Sequence, residues 1–184
     1  MSLAPTDPRP VLPAPVQSEN YAREAFIRAM GAAATSVTIV STDGPAGRCA
    51  QTVSAMASVS ADPPCLLVCV NDKSPLAAAV LANGTLAVNV LADGQADAAQ
   101  TFAGQSVDGG APYDFARHQW QAGALGQPQL AGSSAVFECR LVGAHRYGTH
   151  HVFIASPAES VPGAPDAQPM TYHARRFGTH SPRA

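Results

Sequence analysis

Hydrophobic positions repeat with a helical period at the start of the chain and with strand-like periods after it. From residue 19 to about 33, Tyr21, Ala22, Ala25, Phe26, Ala29, Met30 and Ala33 recur at three- and four-residue steps. That spacing predicts an amphipathic helix packed by one face, with Ser18 as its N-cap. Residues 36–44 (SVTIVSTDG) are rich in β-branched side chains and end in Asp-Gly-Pro, the pattern of a strand entering a hairpin. Residues 47–60 alternate small and apolar positions, and CLLVCV (65–70) follows Pro63-Pro64, so two strands with a rigid corner between them are expected. Residues 73–81 read as a short helix with Ser74 as N-cap and Pro75 at the first helical position, and TLAVNVL (85–91) returns to strand. A helix over 92–103 should stop at Gly104. Residues 105–129, rich in Gly, Ala and aromatic side chains, predict a long loop with one helical turn around 114–119. Residues 134–148 and 150–161 give two more strands, and 169–177 (PMTYHARRF) a last short one.

About six or seven strands and two or three helices result, without regular βαβ alternation. The fold class is therefore mainly β (α+β), a small closed or nearly closed antiparallel barrel with a few peripheral helices. Residues 1–18 hold five prolines and no hydrophobic period, which predicts an extended, disordered arm. One domain over 19–178 and a frayed tail over 179–184 complete the organisation, as suits 184 residues.

Charged residues make up 13% of the chain, against about 25% in a typical soluble domain, so Ala, Gly, Ser and Thr or another subunit must cover much of the surface. An oligomer is expected. A net charge of -2 offers no footprint for a nucleic-acid partner. No apolar run approaches the roughly 20 residues of a membrane span, and no basic stretch followed by an apolar core opens the chain, so a soluble, cytoplasmic protein is expected. Cys65 and Cys69 have no second pair at zinc-site spacing; with Cys139 they read as packing residues, and no metal site is expected. Cys49, beside Arg48 in a polar turn, is left with an open role. Neither a G-x-G-x-x-G turn nor a phosphate-binding P-loop is present, so a nucleotide would have to bind by another route.

Three stretches carry candidate chemistry. Thr52, Ser54, Ser58 and Ser60 stand at even spacing and would line one face of an unbroken strand, either as a wall of donors and acceptors for a planar heterocycle or as a solvent-facing edge. Asn71, Lys73 and Ser74 mark a strand-to-helix junction that would serve as a phosphate site or as an ordinary capped turn. His150 opens a strand, and Arg175 and Arg176 lie on the last one; an imidazole there could orient a nicotinamide carboxamide and an arginine could pair with a phosphate. His150 and His151 should face opposite sides of their strand, which argues against a shared metal.

In order along the chain, FIRAMGAAATSVTIVSTDGPAGRCAQTVSAMASVSADPPCLLVCVN, LAVNVL, FAG, W-x-x-G-x-x-x-x-P-x-L, FECRL, GTHHVFI and YHARRF resemble the short flavin reductases of two-component monooxygenases over roughly residues 20–178. The resemblance implies an FMN-binding split β-barrel, a homodimer, and NADH- or NADPH-dependent reduction of FMN or FAD. It also implies that reduced flavin leaves by diffusion for a partner oxygenase. Position by position, it would set Thr52, Ser54 and Ala55 against the isoalloxazine and Ser58, Val59 and Ser60 along the ring edge and ribityl chain. Asn71, Lys73 and Ser74 would hold the phosphate, His150 would lie beside the nicotinamide, and Arg175, Arg176 or Phe177 would close the pocket. The family usually has Gly at the place of Ala50 and an apolar residue at that of Gln51. A flavin carrier or sensor of the same fold, without NAD(P)H chemistry, is the alternative.

Overall fold

The computed structural model describes residues 20–180. The arm and Ser18 lie outside that range, as do residues 181–184. Helix α1 (Asn20–Gly31) leads into β1 (Thr35–Ser36), β2 (Thr38–Thr42), β3 (Cys49–Val53), β4 (Met56–Ala61) and β5 (Pro64–Asn71). After α2 (Pro75–Asn83) come β6 (Thr85–Val90), α3 (Ala96–Phe102), a 3-10 turn (Phe115–Arg117), β7 (Trp120–Ala122) and β8 (Pro128–Leu130). The long hairpin β9 (Ala135–Tyr147) and β10 (His150–Pro162) precedes β11 (Met170–His173) and β12 (Arg176–Thr179).

The main sheet has seven antiparallel strands in the order β3-β2-β6-β9-β10-β5-β4. Its two end strands, β3 and β4, are separated in the chain by Ser54 and Ala55 alone. In a flat sheet six inter-strand steps would hold those ends about 29 Å apart, whereas Val53 to Met56 spans at most about 11 Å. The sheet must therefore roll into a barrel. One bent path closes it, pairing with β2 through β3 and with β5 through β4, and the Cys69 N–H donates to the Ala55 carbonyl at the bend (3.0 Å). β3 has no ladder partner on its second side among the described residues, and that unpaired edge is the split in the barrel.

Helix α2 fills the barrel interior. The Ser74 side chain accepts from the Leu76 N–H, Pro75 stands in the first turn, and Gly84 closes the helix at φ +70° with its N–H on the Val80 carbonyl. Leu76, Ala77 and Val80 pack among Val40, Val68, Val70, Leu86, Val88 and Phe153. A second core outside the barrel buries Ile39, Ala50, Leu91, Ala99, Phe102, Leu130 and Met170 under α3 and β8. β2 serves both cores and is buried at every position.

Several expectations are corrected. α3 starts at Ala96, because Ala92 bridges Pro169 and Gly94 turns the chain at φ +87°. The helical turn falls at Phe115–Arg117, where Asp114 accepts from the Ala116 N–H, but residues 105–129 are not all loop: β7 and β8 form a hairpin. The buried Glu138 carboxylate holds its connection by accepting from the N–H groups of Leu125 and Gln127, each at 2.8 Å. Residues 169–177 are not one strand, because Ala174 and Arg175, at φ 48° and 63°, turn β11 back into β12. Among the described residues twelve strands replace the expected six or seven, since short strands form two further sheets beside the barrel. Thr179 still pairs with Met170, so regular structure reaches one residue past the expected boundary. Helix α1 does not pack by its apolar face: Phe26 is 65% and Met30 51% exposed.

Candidate active site

The unpaired edge of β3 runs between two cavities. One, of about 330 Å³, is bounded by Thr52 and Ser54, by Gln100 of α3, and by Tyr172, Arg175 and Phe177 of the β11–β12 hairpin. The other, of about 580 Å³, is bounded by Arg48 and Gln51, by Asn71, Lys73 and Ser74 at the β5–α2 junction, and by Tyr113 and Phe115. Because residues 48–51 border one and residues 52–54 the other, the two follow each other along β3 and the residues that flank it. An unpaired strand edge offers main-chain donors and acceptors in one row, which matches the hydrogen-bonding rim of a planar heterocycle.

The register places alternate β3 side chains on opposite faces. Gln51 lies opposite Val40 of the barrel core, and Thr52 lies opposite Ile39 of the outer core. Thr52 donates its hydroxyl to the Ala99 carbonyl (2.7 Å), which fixes α3 against β3 as a wall of the first cavity. Ser54 and Ala55 follow, both exposed, at the bend.

At the β5–α2 junction the Asn71 Oδ1 accepts from the Lys73 N–H (2.9 Å), a local turn that sets Lys73 at the cavity mouth. Ser74 caps α2 and donates its hydroxyl proton to the Gln51 Oε1 across the split. Arg48 lies 4.6 Å from the Phe115 ring centroid and 3.8 Å from the Asp43 carboxylate. Tyr113 and Phe115 were not singled out by sequence reasoning, although the loop that carries them stood out as aromatic-rich.

His150 is exposed at the start of β10 and lies opposite Asn71 in the register, so the two side chains share a face at the rim of the second cavity. Thr149 Oγ1 is 3.0 Å from its Nδ1, which leaves Nε2 for a ligand. His151 lies opposite Val70 and stacks on Phe153, on the other side of the strand as expected.

Other expected residues are not brought to this place. A bulge between Ser58 and Ser60, after the bend at Ser54–Ala55, breaks the single hydroxyl row. Ser58 and Ser60 bound a separate cavity of about 240 Å³ with Cys65 and Phe137, while Val59 is 51% exposed. Arg175 sits in the hairpin turn rather than on a strand, and Arg176 bounds a different cavity with Thr171 and His173. Phe177 borders both.

Burial pushes the Cys49 and Cys69 thiols above their ordinary range, and burial with the adjacent Glu138 charge pushes Cys139 up to about 12. Cys49, though it borders the second cavity, is not an activated nucleophile. Among the described residues no group of three His, Cys, Asp or Glu side chains could hold a metal ion.

Comparison with known proteins decides the lineage: the model of the flavin reductase like domain matches residues 30–181. The chain belongs to the flavin reductase-like family. A protein of Variovorax paradoxus (strain S110) named FMN reductase (NADH) RutF is 42% identical over 176 residues, covering 94% of this chain and 89% of the relative. One of Methylorubrum extorquens, FMN reductase (NADH) RutF 1, is 41% identical over 162 residues, covering 87% and 77%. Among solved structures, the Streptomyces globisporus C-1027 NADH:FAD oxidoreductase SgcE6, in complex with NAD and FAD fragments, superposes with a TM-score of 0.80 at 30% identity, covering 90% of this chain and 97% of that one. BorF, the flavin reductase component of a bacterial two-component tryptophan halogenase, gives 0.77 at 29% identity, covering 88% and 99%. The barrel split along β3 is thus a flavin reductase fold, and the two cavities lie along the unpaired edge of β3.

Proposed function

We propose that this chain is an NAD(P)H-dependent flavin reductase that passes hydride to FMN or FAD and supplies reduced flavin to a partner oxygenase. The observation that carries the reading is the pair of cavities strung along the free edge of β3, on a fold whose relatives are named for NADH-dependent reduction of FMN and FAD. The donor set suits such a ligand: Arg48, Lys73 and the Asn71 amide surround one end of the trough, while aromatic and small residues surround the rest. Bound flavin would supply the hydride-accepting ring; the protein needs no strong acid or base and acts by orientation.

Within that reading Thr52, Ser54 and Ala55 border the ring, Asn71 and Lys73 hold the phosphate, and Ser74 shapes the turn. Arg175 and Phe177 close the first cavity from the hairpin. His150, with its Nδ1 held by Thr149, presents Nε2 to the nicotinamide carboxamide. Ser58, Val59, Ser60 and Arg176 border neither of these two cavities. A homodimer is supported by the exposed apolar residues Phe26, Ile27 and Met30 of α1. The open trough suits release of reduced flavin by diffusion.

Anaerobic stopped-flow mixing of the protein and excess FMN or FAD with NADH, and separately NADPH, tests the reading. Bleaching that turns over the excess flavin is the expected result. Flavin binding without bleaching would make the protein a carrier or sensor instead.

A further inference from the structure

The proton count at the split singles out Gln51. The Ser74 hydroxyl has one proton, and it is donated to the Gln51 Oε1; the Ser74 Oγ in turn accepts from the Leu76 N–H. An ionised phosphate accepts hydrogen bonds and donates none, so the Ser74 side chain has nothing left to offer it. The Asn71 Oδ1 is likewise engaged, by the Lys73 N–H. What remains on the side chains at this end of the cavity is donors: the Gln51 Nε2 amide, the Asn71 Nδ2 amide and the Lys73 ammonium, with Arg48 beside them. The Gln51 carboxamide is oriented in the structure by its contact with Ser74. Its oxygen faces the α2 cap, and its two N–H donors are the end left for a ligand.

We propose that Gln51 is a specificity-determining residue whose amide N–H groups read the phosphate of the flavin, and that it sets the preference for FMN over riboflavin. The inference rests on the reading that flavin occupies this trough. An apolar side chain at this position could neither accept the Ser74 proton nor donate, so the Ser74 hydroxyl would be released toward the ligand. With Gln51 present, the donor role moves from α2 to β3.

Binding of FMN and of riboflavin to the intact protein, followed by quenching of flavin fluorescence, separates the possibilities. Gln51→Glu keeps the acceptor for Ser74, and with it the link across the split, but removes both donors and adds negative charge; Gln51→Met removes the link as well. The expected result is about a tenfold or greater loss of FMN affinity in Gln51→Glu and a smaller loss in Gln51→Met, where the freed Ser74 hydroxyl replaces one donor, with riboflavin affinity changed less than twofold in both. Equal losses for the two ligands would overturn the proposal and leave Gln51 as a brace of the cavity. So would an unchanged FMN affinity in Gln51→Glu. A parent protein that binds neither ligand would remove the flavin reading itself, and the assignment of Gln51 with it. Circular dichroism melts of both variants identify any loss that comes from misfolding.

Discussion

The Arg146 guanidinium on β9 donates to the Asp72 carboxylate at 2.6 Å, joining the tip of the β9–β10 hairpin to the β5–α2 junction. The Asp72 N–H reinforces the joint by donating to the Thr149 carbonyl (2.9 Å), and Thr149 in turn holds the His150 ring. His150 and Lys73 are therefore placed relative to each other by a short chain of bonds. Arg146 is 64% exposed, so the ion pair adds under about 1 kcal/mol to stability. Arg146→Met should leave the melting temperature nearly unchanged yet raise the NADH KM severalfold, with Arg146→Lys recovering part of the loss. Steady-state kinetics beside a thermal melt gives both numbers.

His150→Ala should raise the NADH KM and slow flavin reduction while leaving flavin affinity as it was, because the ring lies at the cavity rim, outside the residues that border the trough. An unchanged response to NADH would take His150 out of this role, and a parallel loss of flavin affinity would make it part of the flavin pocket.

Glu138 is fully buried and accepts from two main-chain N–H groups of the β7–β8 connection. Gln in its place would aim an amide N–H₂ at one of those donors, and the expected cost is about 2–3 kcal/mol, read as a lower urea midpoint with an unchanged slope. A Cβ at Gly123 would come within 2.2 Å of the Gln129 amide and 2.6 Å of the Glu138 carboxyl, so Gly123→Ala should be destabilising too.

Cys139 ties stability to pH at the alkaline end. Its folded pKa of about 12 stands above the ordinary 9.0, so the unfolded chain releases this proton first. Its contribution is fully present below pH 9 and is lost as pH rises from there to about 12. Cys139→Ala should flatten the fall in stability over that window in denaturant titrations at stepped pH. In native protein the Cys139 thiol should escape alkylation at about pH 8, where a thiol of raised pKa holds almost no thiolate, as peptide mass spectrometry would report.

Much of this was legible from the chain because the signals were local. Ser74-Pro75 marks the start of α2 through cap chemistry, although the helix runs on past the expected end at residue 81 to Asn83, and the shift from helical to strand period locates β2. What escaped depends on partners far away in sequence. Nothing in Pro128-Gln129-Leu130 alternates; the segment becomes a strand because it pairs with Trp120–Ala122 while Glu138 holds the connection between them. The hydroxyl row from Thr52 to Ser60 assumed an unbroken strand, and barrel closure bends it at Ser54–Ala55. The α1 pattern was read as packing by one face, yet Phe26, Ile27 and Met30 stand exposed. Tight hairpins favour Asn-Gly, so Ala174-Arg175 carried no turn signal.

That hairpin is also where strain and function meet. Ala174 and Arg175 both hold left-handed backbone angles, which costs an ordinary L-residue about 1–2 kcal/mol each. The Ala174 N–H is fastened to the Gly31 carbonyl (2.9 Å), while the Arg175 side chain borders the first cavity. Relieving the strain at one residue should therefore separate from losing the side chain at the other. Ala174→Gly should stabilise the protein by about 0.5–1 kcal/mol and leave flavin reduction intact. Arg175→Gly should stabilise it similarly but weaken flavin binding or slow turnover, because the guanidinium leaves the cavity wall. Denaturant midpoints and reduction rates measured on both variants decide the matter: equal rates in the two would show that the hairpin closes the cavity through its backbone and Phe177, without help from Arg175.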